Sequence, residues 1–431
     1  MENKFTKIAE QQRKYRTVQG IMKYVDEEAI LKQHQKQEKK KASGVDGVTK
    51  EKYTSNLTDN VGDLINRMKT MSYRPQTVRR TYIPKAGSTD KRPLGIPVYE
   101  DKLVQGAMAE VLNAIYEPIF LDMSYGFRPN RDAHQAIKKL DDIIMRKKVN
   151  YVVDADIKGF FDNVNHEWLI KFLEHTIEDP KFVRYVTRFL KAGIMENMQV
   201  YESDKGTPQG GVISPILANI YLHYVLDLWF EQYIKIKSKG EAYIIRFADD
   251  FVCCFERKED AEMFYAELKE RLSKFDLQIA DDKSKIIPFG KNADSKETFD
   301  FLGFTHVNGK GRSGYYKLIH HTSVKKSKAK KQAIKEWIKE NAHTLPIPYL
   351  IKKLNIKLQG MFRYYGISEN MSWMEKMVYY VKGELRKRLS RRSQKGKISW
   401  EKFYKILEYN PIVQPKIYHS LERVPRSVEF E

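Results

Sequence analysis

The 431 residues suffice for roughly two or three domains with at least one sizeable core. The 77 lysines and arginines exceed the 56 acids by a net charge of +21, and residues 321–402 concentrate 21 of the basic residues against 6 acids, which favours a polyanion, either nucleic acid or an anionic membrane. No apolar run approaches the roughly 18 residues of a membrane span, the N-terminus is polar, and the two cysteines are adjacent at Cys253 and Cys254, so no span, secretory signal, disulfide framework or zinc site is expected and the composition fits a reducing cytoplasm.

Residues 1–38 carry a helical pattern, with Ile8, Val18, Ile21, Val25, Ile30 and Leu31 among many Lys, Gln and Glu. A basic run at 36–41 leads into a loop marked by Gly44, Asp46 and Gly47, and an amphipathic segment follows at 61–71. Residues 73–85 alternate as an extended strand with Arg79, Arg80 and Lys85 available for one surface. Residues 86–90 form a turn and 91–97 return, which predicts a basic hairpin. Helices are expected at 101–118, 132–146, 166–178, 180–192, 215–229 and 259–274, with a buried-type strand at 151–157. This order describes an α+β fold around a small sheet, not a regular βαβ repeat. Beyond 320, Leu354, Leu358, Met361 and Tyr365 share one helical face, as do Met377, Val381, Leu385 and Leu389, and the opposite faces are basic. Gly309, Gly311 and Gly314 interrupt the pattern, so a boundary is expected near 305–320 with a helical module after it.

The candidate chemistry centres on residues 243–255, where apolar and β-branched residues flank Asp249 and Asp250. That pattern predicts a β-hairpin with two adjacent carboxylates at its turn. Adjacent carboxylates repel and are costly to desolvate, so either the turn is an ordinary polar one or it holds a divalent cation, which prefers hard oxygen ligands. Asp154 and Asp156 alternate along the 151–157 strand and face one side, while Ala155 faces the other. Two metal ions about 4 Å apart need carboxylates from more than one element and room for phosphate oxygens. Asp156 facing Asp249 and Asp250 would meet that need, for attack of a primer 3′-oxygen on an α-phosphorus. Asp154 and Asp162 suit structural or outer-sphere roles.

Lys85 and Arg92, on opposite arms of the basic hairpin, are candidate clamps for a triphosphate, the alternative being a solvated basic surface. The glycines of the 206–211 loop permit close approach of backbone to a base pair, with Gln209 able to reach a nucleotide; the loop is not a dinucleotide fingerprint. Phe161 has the volume to bar a 2′-hydroxyl, or else is simply a core aromatic.

Taken together, Tyr151-Val-Val-Asp-Ala-Asp-Ile-Lys-Gly-Phe-Phe-Asp-Asn163, Gly206-Thr-Pro-Gln-Gly-Gly211, Arg246-Phe-Ala-Asp-Asp250 and Phe301-Leu-Gly-Phe304 resemble, in order and spacing, the group II intron-encoded reverse transcriptases, or maturases. Tyr82-Ile-Pro-Lys85, Arg92-Pro-Leu-Gly-Ile-Pro97 and Ser124-Tyr-Gly-Phe-Arg-Pro129 fall in the same order, and the resemblance covers roughly residues 40–305. Phe247 departs from the tyrosine of many relatives but keeps the ring.

The resemblance implies a right-hand polymerase: fingers and palm with a small antiparallel sheet at 41–305, a helical extension at 1–40, and a basic helical thumb or maturase domain at 306–431. It makes Asp156, Asp249 and Asp250 the catalytic ligands of two Mg2+ ions, with Mn2+ as a substitute. Lys85, Arg92, Phe161, Gln209 and Lys283 become nucleotide contacts, and Lys283 a proton donor to pyrophosphate.

Helices with basic faces suit an RNA backbone, and Lys382, Arg386, Lys387, Arg388, Arg391 and Arg392 form the candidate RNA patch. Trp337, Trp373 and Trp400 are expected to pack. The expected partners are an RNA template, a DNA or RNA primer, dNTPs and the intron RNA. No membrane is expected, and a homodimer is compatible with the family. The family's shorter members lack a nuclease module, and the chain resembles those. The expected setting is a bacterial cytoplasm. A free-standing reverse transcriptase in phage defence or repair, and a polymerase-dead splicing cofactor, are the competing readings.

Overall fold

The computed structural model describes residues 2–84, 91–196, 199–201, 205–207, 210–311, 314–392 and 397–421. The chain forms two units, one built from residues up to 84 and from 91 to 287, the other from 288 onward. Among the described residues the first holds β1 (Val78–Pro84), β2 (Lys91–Ile96), β3 (Tyr151–Asp156), β4 (Ile194–Glu196), β5 (Gln199–Tyr201), β6 (Ala242–Phe247) and β7 (Asp250–Phe255), and β8 (Lys285–Pro288) runs to the boundary with the second. They make two four-stranded sheets, ordered β2-β1-β4-β5 and β6-β7-β3-β8. The expected basic hairpin is the antiparallel pair β1–β2, which β4 extends in parallel. The expected carboxylate hairpin is β6–β7, and β7 also pairs antiparallel with β3.

Strand alternation sends Val153, Ala155, Phe251, Cys253 and Phe255 into one large apolar core. The helix Tyr99–Tyr116 runs through that core, burying Leu103, Val104, Ala107, Val111, Leu112 and Ile115. Residues 1–40 do not stand apart as an extension. They break into helices Glu2–Tyr15 and Glu27–Lys36 joined through a short 3-10 turn, and Ile8, Val18, Ile21 and Ile30 are buried in the same core. Helix Ala133–Arg146 starts from a reciprocal cap, in which Asp132 accepts from the Gln135 backbone and Gln135 returns the bond. The apolar helix expected at 215–229 is longer, running over residues 214–237. Two of its turns, His223–Asp227 and Phe230–Ile234, are π-helical.

The second unit opens on a three-stranded antiparallel sheet: β9 (Thr298–Phe301), β10 (Phe304–Lys310) and β11 (Tyr316–Thr322). The division therefore falls earlier than the sequence pattern suggests. Gly309 does not end the regular structure; it lies within β10, where a Cβ would collide with the Ile319 side chain across the pair. Among the described residues four helices follow, Val324–Asn341, Ile347–Tyr365, Met371–Leu389 and Trp400–Tyr409. Leu354, Leu358, Met361 and Tyr365 are buried on one, and Met377, Val381, Leu385 and Leu389 on the next, along the faces read from their spacing. Mixed α/β structure with small sheets thus precedes a mainly helical region. Among the described residues no helix is long and apolar enough to cross a membrane.

Candidate active site

The β6–β7 connection has two residues, because Phe247 pairs with Asp250 and leaves Ala248 and Asp249 as the turn. Ala248 adopts φ +60°, a left-handed conformation that glycine takes freely and that costs an alanine roughly 1–2 kcal/mol. Asp250 is exposed at the start of β7, and its register partner in β3 is Asp156. Like charges placed directly opposite across an antiparallel pair oppose each other. Asp249, half-buried, has its carboxyl pushed above the usual carboxylate range by burial and then by the Asp156 charge, while Arg92 and Arg246 act in the opposite sense.

Asp156 is fastened from the segment just before β8. Its backbone N–H donates to Ser284 Oγ at 3.1 Å, its carbonyl accepts from Ala280 N at 2.8 Å, and Lys283 Nζ lies 3.1 Å from its Oδ2. The hydrogen bond to Asp156 holds the Lys283 ammonium above its ordinary range.

A cavity of about 520 Å³ brings Asp156, Asp249, Arg92 and Phe161 to one space. Phe161 sits in the single helical turn Phe160–Asn163, its ring edge-on to Phe160 at 5.4 Å. The turn is held by main-chain bonds from Thr207 N to Phe161 O and from Gly206 N to Val164 O. Two glycines of this loop, Gly206 and Gly210, lie close to protein backbone. A Cβ on Gly206 would meet the Phe161 and Asp162 carbonyls, and one on Gly210 would meet the Gly95 carbonyl at 2.4 Å. Lys85 and Gln209 lie outside the described residues. Asp250 is not among the residues that line the cavity; its relation to Asp156 is the strand register.

Several lining residues had no assigned role in the sequence: Phe127, Leu94, Ser214 and Pro215. Phe127 is the most telling, since it is 51% exposed at the cavity and adopts φ +59°. Its only sequence signal is its place in the Ser124–Pro129 motif. Among the described residues, no three His, Cys, Asp or Glu side chains are gathered as a ready-made metal cluster.

In the second unit the residues of the candidate RNA patch differ in their contacts. Lys387, Arg391 and Arg392 are exposed. Arg386 stacks on Trp400 at 4.3 Å and donates to the Ile398 carbonyl, Lys382 lies over the Tyr404 ring at 5.8 Å, and Arg392 donates to the Ala342 and Leu345 carbonyls. Arg388 is half-buried. Of the tryptophans, Trp373 bonds Ser327 and packs on Tyr365, and Trp337 lies under Lys357.

Residues 83–306 match the reverse transcriptase (RNA-dependent DNA polymerase) family, and residues 327–405 match the maturase-specific domain of group II introns. Group II intron-encoded protein LtrA of Lactococcus lactis subsp. cremoris is 30% identical over 75% of this chain. The match covers 66% of LtrA, so the chain spans just under two thirds of that relative. Protein YkfC of Escherichia coli (strain K12) is 30% identical over 64% of this chain and 78% of its own length. An uncharacterized 91 kDa protein in the cob intron of Schizosaccharomyces pombe is 41% identical over 40% of this chain and 21% of its own. With the two domain matches in this order, the chain belongs to the group II intron-encoded reverse transcriptase/maturase family.

Proposed function

We propose that the chain joins dNTPs to a primer 3′ end on an RNA template at the Asp156–Asp249 cavity, and binds a group II intron RNA to assist its splicing and mobility. The observation that carries this reading is the meeting of two carboxylates from different elements, one at the end of β3 and one in the β6–β7 turn, with a cation and an aromatic wall at one cavity. In this reading the sheet β6-β7-β3-β8 is the palm, β1–β2 belong to the fingers, and the helices after 322 form the thumb or maturase domain. The match to the maturase-specific domain supports intron RNA as the second partner.

Asp156, Asp249 and Asp250 would hold two Mg2+ ions, or Mn2+ in their place. The donor set fits: three carboxylate-bearing residues supply hard oxygens, and the opposition of Asp156 to Asp250 and the reluctance of Asp249 to ionise are both relieved by a divalent cation. When bound, such ions lower the pKa of the primer hydroxyl and stabilise the pyrophosphate leaving group. Arg92 draws the triphosphate with a planar fork of donors. Phe161 walls the sugar side, and Lys283, which exchanges Asp156 for pyrophosphate, supplies its proton. Lys85 and Gln209 stand as further nucleotide contacts.

Primer extension on an RNA template tests the reading. Asp249→Ala is expected to lower single-nucleotide addition at least about 100-fold, about 2.7 kcal/mol or more of lost transition-state stabilisation, with template binding retained. Incorporation equal to that of the wild type would overturn it.

A further inference from the structure

Arg246 is fully buried, and the proposed reaction gives it no part at the reacting atoms. Its Nε donates to Asp227 Oδ1 at 2.7 Å and its Nη2 to Asp227 Oδ2, so the two side chains, both fully buried, form a two-pronged ion pair. The remaining nitrogen, Nη1, donates to Asn219 Oδ1 at 3.0 Å and to the Ala248 carbonyl at 2.9 Å. Asn219 Nδ2 in turn donates to the Gly126 carbonyl at 2.7 Å. Main-chain bonds join Arg246 N to Met123 O and Tyr125 N to Arg246 O, each at 2.8 Å. Gly126 presses so closely on the turn that a Cβ there would lie 2.2 Å from Ala248 N.

One planar group therefore ties together helix 214–237, loop 123–126 and the turn that carries Asp249. A buried ion pair is a weak source of net stability, because desolvation of both charges offsets their attraction. A guanidinium does fix direction, since its donors lie in one plane at set angles. The Ala248 carbonyl is the acceptor that belongs to the left-handed residue itself.

We propose that Arg246, with Asp227 and Asn219, is the positioning unit that holds Ala248 in its left-handed conformation at the Ala248–Asp249 turn and so sets where the Asp249 carboxylate stands. Arg246 is a positioning residue and not a catalytic one. The proposal rests on the reading of Asp249 as a metal-site carboxylate, and its test includes a measurement independent of polymerisation.

The test is the double variant Asp227→Leu/Arg246→Met, which replaces the ion pair by apolar side chains and so leaves no unpaired buried charge. Two quantities are read in the folded variant: the methyl resonance of Ala248 in protein labelled at alanine 13Cβ, and kcat and KM for single-dNTP addition. The resonance is expected to shift and broaden as the turn samples other conformations. The kcat is expected to fall at least 10-fold while KM for dNTP stays within threefold. If the double variant does not fold, Arg246→Lys, which keeps the charge but loses the fork, is read in the same way. An unshifted resonance with kcat within twofold of wild type overturns the proposal. Failure of both variants to fold overturns it as well, since the pair would then be a folding determinant. If the wild type itself does not polymerise, the functional reading fails and the Ala248 resonance alone decides whether the turn is held by Arg246.

Discussion

Truncating Phe161 to alanine should erode sugar selectivity before it erodes polymerisation. Phe161 borders two spaces at once: the cavity of about 520 Å³ shared with Asp156, Asp249 and Arg92, and a second of about 290 Å³ lined by Arg80, Gly206 and Thr207. Removing the ring joins them and leaves room beside the sugar. The backbone there is held by the Thr207 and Gly206 main-chain bonds, which the substitution leaves in place, and Phe160 stays buried beneath. Since Phe161 is only half-buried, the folding cost should fall below the about 3–5 kcal/mol of a fully buried Phe→Ala change. Rejection of one added hydroxyl by shape alone is worth roughly 100-fold, or about 2.7 kcal/mol. The ratio of kcat/KM for a dNTP to that for the matching rNTP should therefore drop by up to about 100-fold. Single-nucleotide incorporation on an RNA template measures it, with Phe161→Tyr as the control that keeps a wall. A ratio within twofold of wild type, in a variant that stays folded at the assay temperature, would refute the assignment of Phe161 as the wall of the sugar site.

The basic patch should separate into two classes. Lys387→Ala/Arg391→Ala should weaken RNA binding and reduce the slope of log K against log salt by roughly 0.7–0.9 for each phosphate left unneutralised; an unchanged slope would make these residues merely solvated. Arg392→Ala should instead lower the melting temperature, because it deprives the Ala342 and Leu345 carbonyls of a donor. His223 offers a test by pH. Burial lowers its pKa to about 4, and neither ring nitrogen has a hydrogen-bond partner among the described residues. The unfolded chain takes up the proton near 6.5, so it binds more protons than the folded one between these values, and stability falls as pH drops through that window. His223→Leu should cut the loss of stability between pH 7 and pH 5 by about 2 kcal/mol. Urea unfolding at the two pH values reads it directly, and an undiminished loss would show that His223 is not the group responsible.

Local chemistry was legible, and non-local pairing was not. The apolar flanks around Asp249 and Asp250 announced a hairpin, and the alternation of Asp154, Ala155 and Asp156 announced which of them share a face, because both follow from the two-residue period of a strand. The same holds for the buried stripes at 354–365 and 377–389, which obey the helical period. That Asp250 would be the register partner of Asp156 depends on which strands pair and in what frame, and no local pattern states it. Phe127 was hidden because its approach to the cavity requires a positive φ that the residue type does not advertise. Arg391 and Arg392, just past the end of helix Met371–Leu389, look alike in sequence and are both exposed; only the structure shows that Arg392 also donates to carbonyls of its own chain. Residues 288–322 were obscured for a similar reason. Their glycines suggest a break, yet Gly309 leaves space for Ile319 across the strand pair.

The wide turn at His223–Asp227 has a consequence for reach. Asn219 and Asp227 are eight residues apart, which in a regular helix places them about 80° apart around the axis. A π turn absorbs about one residue, so the same interval spans only about seven regular steps and the offset closes to about 20°. Two side chains that a straight helix would splay apart can then act on a single guanidinium. The winding of the backbone is thus a specification in its own right: were this stretch to relax to regular α-helix at the same length, Asn219 and Asp227 would part without either having changed.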